Sequence, residues 1–366
     1  MTIGIGGAGS KLSALLDPHN LIINVSEIEL EKVRAEEKLL AVLHSEKGQR
    51  RGARKNPLLG AEAFASIKVR LMDRIKGELV FASTGGGTGN GICSQILNEL
   101  AAQKEVPEEE RTRFGLLVPY APQESAEYVK NTIDFLSGPV SRAVDSGNTG
   151  NIFLFSNREK YEKRLSEPRF NEQLVASLRN FLDIPARGAA LPLLEGHIDY
   201  EDFDLYLSRP FFNYFTSFEL GGEEDFGSLL ARHANPYLLQ PDAPIEALFF
   251  LELPTGWDPT VFYRVVDHLV RSSAAPIFSV AENPERQRPF ITLSLLYSRK
   301  PEGLVADFQR IAQTHDEERI RKSVEQQVTL RPQRVDLEQE ARKAGQRAGK
   351  SEEDVLSVLR RIGKLR

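Results

Sequence analysis

Short apolar segments alternate with longer amphipathic ones through the first half of the chain. The short segments end in turn residues, serine or asparagine, and they predict strands at Leu21–Val25, Glu78–Ser83, Phe114–Pro119 and Asn151–Ser156. The longer segments predict helices at Ala61–Lys76, Thr88–Gln103, Glu124–Leu136 and Phe170–Leu182. This alternation is typical of βαβ units, so we expect an α/β fold with a Rossmann-like parallel sheet that is buried on both faces.

The pattern changes after about residue 185, where prolines and glycines interrupt the helical spacing. Three further apolar segments predict strands at Ala247–Leu253, Pro276–Val280 and Phe290–Tyr297. The residues between the first two predict a helix near Val261–Arg271. We therefore expect a second, smaller α/β domain over residues 188–300.

Aromatic residues crowd into the start of this second region, at Tyr200, Phe203, Tyr206, Phe211, Phe212, Tyr214, Phe215 and Phe218. Two interpretations are open from the sequence. These residues form the packed core of the second domain, or they form an exposed surface for self-association.

Residues 301–366 have a different composition. Residues 302–328 carry an apolar stripe with helical spacing, and residues 329–351 are polar and predict a linker. The segment Ser351–Arg366 has an apolar helical face, and residues 341–366 hold eight Lys or Arg against three Asp or Glu, a net charge of +5. Such a helix can bind an adaptor protein, an anionic membrane surface or DNA, or it can dock on its own subunit or on a neighbouring one, and the sequence leaves these open.

Composition and charge exclude several classes of protein. The chain has 366 residues, 41% of them hydrophobic, which is enough for the cores of two domains. The 47 Lys and Arg against 52 Asp and Glu give a net charge of −5, so the chain is not a globally basic nucleic-acid binder. A single cysteine, Cys93, excludes a disulfide framework and a cysteine zinc site and predicts a cytoplasmic location. No apolar run approaches the length of a membrane span, and no signal peptide is evident.

The strongest chemical signal is the segment Ser83–Gly91, which has five glycines in residues 85–91. It lies where the predicted strand Glu78–Ser83 ends and a predicted helix begins at Thr88. Glycines have no β-carbon to keep a ligand from the backbone, and main-chain N–H groups at the start of a helix bind phosphate. The segment therefore predicts a phosphate-binding loop, to which Thr88 and Asn90 can add side-chain hydrogen bonds.

A second glycine-rich loop opens the chain at Gly4–Lys11. The P-loop pattern requires Gly-Lys followed by Ser or Thr, whereas this loop has Gly9-Ser10-Lys11. The loop is also similar to a dinucleotide fingerprint, but the strand after it ends in Asn24-Val25-Ser26 without an acidic residue. Two phosphate-type loops in one domain suggest a diphosphate or triphosphate held between strand ends.

In combination these motifs resemble those of the tubulin/FtsZ superfamily. Residues 85–91 are similar to its GGGTG(S/T)G motif, with Asn90 in place of Ser or Thr, and the similarity continues in order over about residues 1–300. The chain resembles a divergent prokaryotic or phage/plasmid member of that family. The resemblance implies a GTPase domain over residues 1–165, a long core helix over 166–187, a second domain over 188–300 and a helical C-terminal tail over 301–366.

The resemblance also implies which residues bind GTP or GDP. The phosphate loops would be Gly6, Gly7, Ala8, Gly9 and Ser10, then Asn24, then Gly52, Ala53 and Asn56 in the loop that closes over the γ-phosphate, then Gly85, Gly86, Gly87, Thr88, Gly89 and Asn90. Glu124 would bind a ribose hydroxyl, and Asn157 and Asn171 would contact guanine, since an amide offers both a donor and an acceptor. Phe170 stacks on the base or is the first core residue of its helix, and the sequence favours neither.

In this family a neighbouring subunit completes the hydrolytic site. The segment Gly196–Asp204 is similar to the family loop Gly-Leu-Ile-Asn-x-Asp-x-x-Asp, with Asp199 in place of the Asn and with Glu201 and Asp204 as the acids. Two carboxylates three residues apart at a helix start can polarise one water or bind a cation. The alternative is a solvated helix N-terminus. The resemblance implies head-to-tail filaments of this chain and a Mg²⁺ ion held mainly by the phosphates, without a dedicated protein cage.

Departures from the family pattern leave other functions open. The arginine that FtsZ carries four residues after its ribose-binding glutamate is Tyr128 here, and Asp199 and Glu201 alter the trans loop. A structural partner or regulator that binds GTP without polymerising or turning it over fits these changes. A dinucleotide-dependent enzyme fits the first loop alone, but it does not account for residues 85–91.

Overall fold

We describe the protein from a computed structural model. The structure describes residues 1–45, 48–49, 52–221, 224–239, 244–272 and 274–297, together with Gln309 and Gln313. Residues 1–313 form one compact unit. The predicted linker and the amphipathic segment Ser351–Arg366 lie outside the described residues, as does the predicted helix over 302–328 apart from Gln309 and Gln313.

The described residues contain thirteen strands. They are β1 (Thr2–Ile5), β2 (Asn20–Asn24), β3 (Glu37–Leu40), β4 (His44–Ser45), β5 (Gly48–Gln49), β6 (Leu79–Ser83), β7 (Arg113–Val118), β8 (Ile152–Ser156), β9 (Leu193–Gly196), β10 (Phe212–Glu219), β11 (Glu246–Leu253), β12 (Ala275–Glu282) and β13 (Phe290–Tyr297).

Helices occupy most of the connections between these strands. They are α1 (Gly6–Leu16), α2 (Glu27–Lys32), α3 (Pro57–Phe64), α4 (Lys68–Arg74), α5 (Thr88–Ala102), α6 (Ala126–Phe135), α7 (Ser141–Ser146), α8 (Arg158–Glu162), α9 (Glu167–Leu182), α10 (Ile184–Ala190), α11 (Tyr200–Leu207), α12 (Phe226–Arg232) and α13 (Phe262–Arg271).

Eleven strands form one sheet, in the order β3-β2-β1-β6-β7-β8-β10-β13-β11-β12-β9, and β4 pairs with β5 separately. The first six strands of that order are parallel. Every residue of β1, β2 and β8 is buried, because helices cover both faces of this part of the sheet. The predicted α/β class and parallel sheet are confirmed.

The remaining strands extend the same sheet with mixed directions. β10 is parallel to β8 through one residue pair, Phe212 with Ile152, and antiparallel to β13. β11 is antiparallel to β13 and parallel to β12, and β9 pairs with β12 at the edge. Beside the junction, Asn213 Nδ2 donates to Asn151 Oδ1 at 2.6 Å. The proposed division into domains at residues 165 and 188 stays a prediction.

Two predicted helices are interrupted by identifiable local chemistry. The predicted helix Ala61–Lys76 is divided into α3 and α4, because the Ser66 hydroxyl donates to Ala63 O at 2.7 Å and accepts from Val42 N at 2.9 Å. The predicted core helix over 166–187 ends at Leu182, and α10 starts at Ile184 with Pro185 in its first turn. Six of the thirteen described strands were not predicted from the sequence, namely β1, β3, β4, β5, β9 and β10.

The crowded aromatic residues belong mainly to the core. Tyr206, Phe212, Tyr214 and Phe215 are fully buried, and Phe215 stacks on Phe181 of α9 with ring centroids 4.8 Å apart. These contacts support the core interpretation of the aromatic segment. Its exception is Tyr200, which is 64% exposed at the start of α11.

Candidate functional site

Two adjoining cavities lie at the carboxyl ends of β1, β2 and β6. The larger has a volume of about 630 Å³ and is lined by α1, α2 and the first turns of α9. The smaller has about 370 Å³ and is lined by the starts of α1 and α5 and by residues 52–55. Gly7, Ala8, Asn24 and Glu29 line both cavities, which therefore form one continuous site. This is the edge at which parallel α/β sheets bind ligands, and both volumes lie in the range of small-molecule sites.

Two helix N-termini meet at the smaller cavity. α1 begins at Gly6 directly after β1, and α5 begins at Thr88 shortly after β6. Gly6 has a φ of +71°, and a Cβ there would lie 2.9 Å from Gly89 N, so the two glycine-rich loops are in direct contact. The first N–H groups of both helices lack intrahelical partners and lie at the positive ends of the helix dipoles. This end of the site therefore favours an anion.

The glycines of residues 85–91 serve two different purposes. A Cβ on Gly86 would meet no atom within 4 Å, so this glycine leaves open space beside the cavity. A Cβ on Gly91 would lie 2.1 Å from Pro57 O, and one on Gly87 would lie 2.8 Å from Asn56 N. Gly87 and Gly91 thus allow the close approach of α3 and of the segment before it, which brings residues 52–55 to the cavity.

The structure brings most of the predicted nucleotide-binding residues together. Those that line a cavity are Gly6, Gly7, Ala8, Ser10, Asn24, Gly52, Ala53, Gly86, Gly87, Thr88, Gly89 and Asn171. Gly9, Asn56, Gly85 and Asn90 do not line either cavity. Gly9 is packed on the sheet, since its Cβ would lie 2.2 Å from Phe81 O, and Asn90 Nδ2 donates to Thr84 O and to Asn131 O. Binding by these four residues stays a prediction.

Glu124 and Asn157 contact each other and line neither cavity. Asn157 Nδ2 donates to Glu124 Oε1 at 3.2 Å, and the Tyr161 hydroxyl donates to the same oxygen at 2.7 Å. Asn157 Oδ1 accepts a hydrogen bond from Tyr120 N. Both side chains already have protein partners, so their predicted roles at ribose and guanine require that these contacts be exchanged.

The Glu124 contact predicts a measurable titration. Burial, and then the hydrogen bond to Glu124, raise the pKa of Tyr161 from 10.0 to about 12. The folded protein holds this proton more tightly than the unfolded chain, so the associated stability is complete below pH 10 and is lost as the pH rises towards about 12. We expect Glu124→Gln to lower the pKa of Tyr161, because the carboxylate charge is removed. The measurement is the phenolate absorbance as a function of pH, for the wild type and for Glu124→Gln. From each curve we subtract the curve of the same protein with Tyr161→Phe, which leaves the titration of Tyr161. An equal Tyr161 pKa in both proteins would contradict the contact.

On α9 the two predicted contact residues have different environments. Asn171 lines the larger cavity, one turn from Glu167, which accepts a hydrogen bond from Lys11 Nζ at 2.9 Å. Phe170 is 1% exposed and packs edge-on against Tyr237 with centroids 5.9 Å apart. It has no free face for a base. The structure therefore places Phe170 in the core, the second of the two interpretations, and corrects its assignment as a residue that contacts the base.

Several charged residues at the site were missed by sequence reasoning. Glu29 lines both cavities, and Asn24 Nδ2 donates to Glu29 Oε2 at 3.0 Å. The sequence signal for Glu29 was the helix-capping pattern Ser26-x-x-Glu29, and the structure shows this cap, in which Ser26 Oγ accepts from Glu29 N at 3.4 Å. That pattern predicts where α2 starts, but it does not predict that Glu29 lines a cavity. Arg54 and Lys55 line the smaller cavity, and in the sequence they lie between Ala53 and Asn56 of the predicted loop, without a role of their own.

The predicted acids lie at the other end of the sheet. Asp204 Oδ1 accepts from Arg113 Nη2 at 2.6 Å, and Arg113 is the first residue of β7. Because β7 is parallel to β6, its amino end lies away from the carboxyl ends where the cavities are. Asp199 caps α11 by accepting from Asp202 N at 2.8 Å. Glu201 is exposed, and its carboxylate makes no hydrogen bond or ion pair with any described residue. The structure thus does not bring these acids to the cavities of their own chain.

No described helix is both long enough and apolar enough to cross a membrane. No three His, Cys, Asp or Glu side chains of the described residues form a group that could hold a metal ion.

No protein-family model matches the sequence, and no curated protein matches it. Its fold is similar to that of several solved structures. TubZ of Clostridium botulinum phage c-st matches with a TM-score of 0.64 and 16% identity over 87% of this chain and 98% of that one. The GTPγS-form protofilament of Bacillus thuringiensis serovar israelensis TubZ matches with a TM-score of 0.70 and 13% identity over 88% and 93%. FtsZ of M. jannaschii matches with a TM-score of 0.57 and 18% identity over 81% and 88%. The predicted resemblance is confirmed at the level of the fold.

Proposed function

We propose that this chain, whose fold is the tubulin/FtsZ fold predicted from its motifs, binds GTP, assembles into filaments and hydrolyses GTP after assembly. One observation carries the proposal. Two glycine-rich loops and two helix N-termini converge on one continuous site, which has side-chain amides at Asn24 and Asn171. The GTPγS-form protofilament of TubZ, a structure similar in fold, also supports it.

The two cavities suit the two parts of a nucleotide. The phosphates would lie in the smaller cavity, which Gly6, Gly7, Gly86 and Thr88 line at the starts of α1 and α5, since main-chain N–H groups at helix starts bind phosphate. The nucleoside would lie in the larger cavity, where the Asn171 amide offers a donor and an acceptor to the base.

Glu29 fits a role at a nucleotide-bound Mg²⁺ ion. Mg²⁺ in nucleotide sites is bound by phosphates, water and one or two carboxylates. Glu29 is the acidic residue that lines the smaller cavity, and Asn24 orients its carboxylate. The bound ion would neutralise charge on the phosphates, while this carboxylate holds it beside the loops.

The position of the acidic segment supports hydrolysis in trans. Glu201 lies on α11, which is at the amino end of β7, whereas the cavities lie at the carboxyl ends of the parallel strands β1, β2 and β6. Head-to-tail stacking would therefore place α11 of one subunit over the cavity of the next. A water polarised by Glu201 would then reach the γ-phosphate only in the assembled state.

The experiment that tests this proposal measures assembly and turnover together. With GTP and Mg²⁺, we expect sedimentable filaments and a rate of phosphate release that rises more steeply than linearly with protein concentration, because the site is completed between subunits. Chelation of Mg²⁺ with EDTA should abolish phosphate release. GDP in place of GTP is the matched control and should give little polymer.

A linear rate would contradict completion of the site by a neighbour. Absence of GTP binding, measured by calorimetry, would refute the whole proposal, and NAD binding in its place would favour a dinucleotide-dependent enzyme.

One observation favours a second candidate function, a GTP-binding partner or regulator of filaments that does not turn GTP over. Asp199 and Asp204 are already engaged, as a helix cap and with Arg113, which leaves Glu201 as the one predicted acid without a described partner. GTP binding without polymer in electron micrographs and without phosphate release would support this candidate.

The remaining assignments rest on the sequence alone. We propose a cytoplasmic location, which the cysteine content supports, and an adaptor protein, a membrane surface or DNA as the partner of Ser351–Arg366.

A further inference from the structure

The segment beside the smaller cavity has an unusual backbone. Arg54 has a φ of +47° and Lys55 a φ of +62°, in the left-handed region that residues with a β-carbon rarely adopt. Both side chains are exposed and both line the smaller cavity. Two adjacent cations are thus held at the anion-binding end of the site in a conformation that their surroundings must stabilise.

The surroundings of Lys55 show how its backbone is held. Asn131 Nδ2 donates to Lys55 O at 3.0 Å and to Gly85 O at 2.9 Å. Asn131 O in turn accepts from Asn90 Nδ2 at 3.1 Å. One amide of α6 therefore joins the segment 52–56 to the loop over residues 85–91, and the Lys55 backbone has a defined position relative to the cavity.

The Lys55 side chain rests on an aromatic ring. Lys55 Nζ lies 4.7 Å from the centroid of the Tyr128 ring, and Tyr128 also lines the smaller cavity. The ring is packed on Gly85, because a Cβ there would lie 2.4 Å from Tyr128 Cδ1. No described acid pairs with Lys55, so its charge is offset within the described residues by the ring face alone. Phosphate oxygens attract an ammonium more strongly than an exposed ring does.

We propose that Lys55 is the residue by which this site distinguishes a nucleoside triphosphate from a diphosphate. This inference rests on the proposed nucleotide function. Lys55 lines the smaller cavity and not the larger one with Asn171, so it lies at the end where the terminal phosphate would be. Without that phosphate the ammonium stays on Tyr128. With it, the ammonium leaves the ring and pairs with the γ-phosphate, while Asn131 keeps the backbone in place.

The first test compares affinities for fluorescent GDP and GTPγS, measured by anisotropy below the assembly concentration. Lys55→Met should weaken GTPγS binding by roughly tenfold or more, the loss of one charge-assisted hydrogen bond, and leave GDP binding within about twofold. The preference for the triphosphate would then collapse. Arg54→Met is the matched control, since it removes a neighbouring cation of similar backbone conformation that has no ring of a described residue beneath it. This variant should change both affinities to the same extent.

An unchanged preference for GTPγS over GDP in Lys55→Met would overturn the proposal. Loss of that preference in Arg54→Met alone would also overturn it. If the wild-type protein binds neither nucleotide, the proposed function itself fails, which is a different outcome. Circular dichroism of each variant shows whether it is folded, and Lys55→Gln replaces Lys55→Met if that protein is not.

A second test observes the ammonium directly in the wild-type protein. Reductive ¹³C-methylation keeps the lysine charge, and the signal of Lys55 is assigned by its absence in Lys55→Arg. We expect a ring-current shift of this signal in the nucleotide-free and GDP-bound protein and loss of that shift with GTPγS. A signal that GTPγS does not move would overturn the proposed exchange between Tyr128 and the γ-phosphate.

Discussion

Glu201→Ala is expected to slow GTP hydrolysis by about 100-fold or more while GTP binding and polymer remain, the size of effect typical for loss of a general base. Glu201 is exposed in the first turn of α11, and its carboxylate makes no hydrogen bond or ion pair with any described residue, so it is free to act on a neighbour's nucleotide. Its removal should also leave the fold intact. The measurements are single-turnover phosphate release and sedimentation with GTP.

Asp202→Ala is the matched control for this prediction. Asp202 is an exposed acid in the same turn, and its substitution should change turnover by less than about twofold. Asp204→Ala is informative as well, since Asp204 is already paired with Arg113 at 2.6 Å. Loss of nucleotide binding in Glu201→Ala, or equal loss of turnover in Asp202→Ala, would refute the role of Glu201.

Gly86→Ala and Gly91→Ala are expected to have opposite effects on binding and stability. Gly86 has open space around it and lines the smaller cavity, so an added methyl group would occupy space that the phosphates need. We expect at least a tenfold loss of GTP affinity, with stability unchanged or raised by up to about 1 kcal/mol, because alanine restricts the unfolded chain. Titration of GTPγS and urea unfolding measure the two quantities.

In Gly91→Ala the methyl group would lie 2.1 Å from Pro57 O, which is backbone and cannot move without α3. Overpacking of this kind costs about 1–3 kcal/mol or more and exceeds the gain of about 1 kcal/mol in helix propensity. We therefore expect a lower unfolding free energy, with weaker GTP binding only as a consequence of displaced residues 52–55. Equal stability of both variants, or wild-type GTP affinity in Gly86→Ala, would contradict the division of roles among these glycines.

The elements that sequence reasoning predicted well are those whose signal is local. β6, β8 and α5 lie within one or two residues of their predicted positions, because apolar runs that end in turn residues report burial directly. β10 was not predicted as a strand, since seven of its eight residues are aromatic or small and polar, a composition that also suits a core cluster. The interruption at Ser66 depends on a partner, Val42, that is distant in sequence.

The part of the candidate site that was predicted is the part with a local sequence signal. Gly6, Gly7, Gly86 and Thr88 were found because glycine-rich turns between a strand and a helix have a recognisable pattern. Glu29 and Tyr128 were not assigned to the site, and Lys55 was placed in the loop over residues 52–57 without a role of its own, because the local sequence does not show which side chains line a cavity. The pairing of Glu124 with Asn157 was likewise invisible, since it joins residues on separate strand ends.

The sequence by itself determined the α/β alternation, the two glycine-rich turns and the acidic turn at Asp199–Asp204, because each is encoded by residues adjacent in the chain. Only the tertiary structure decided that Phe170 is in the core, that Asp204 is held by Arg113, and that Lys55 rests on Tyr128 beside the smaller cavity. These facts depend on distances between residues far apart in sequence. The packing of α6, α9 and α11 and of the loop before α3 sets those distances, and no local pattern contains them.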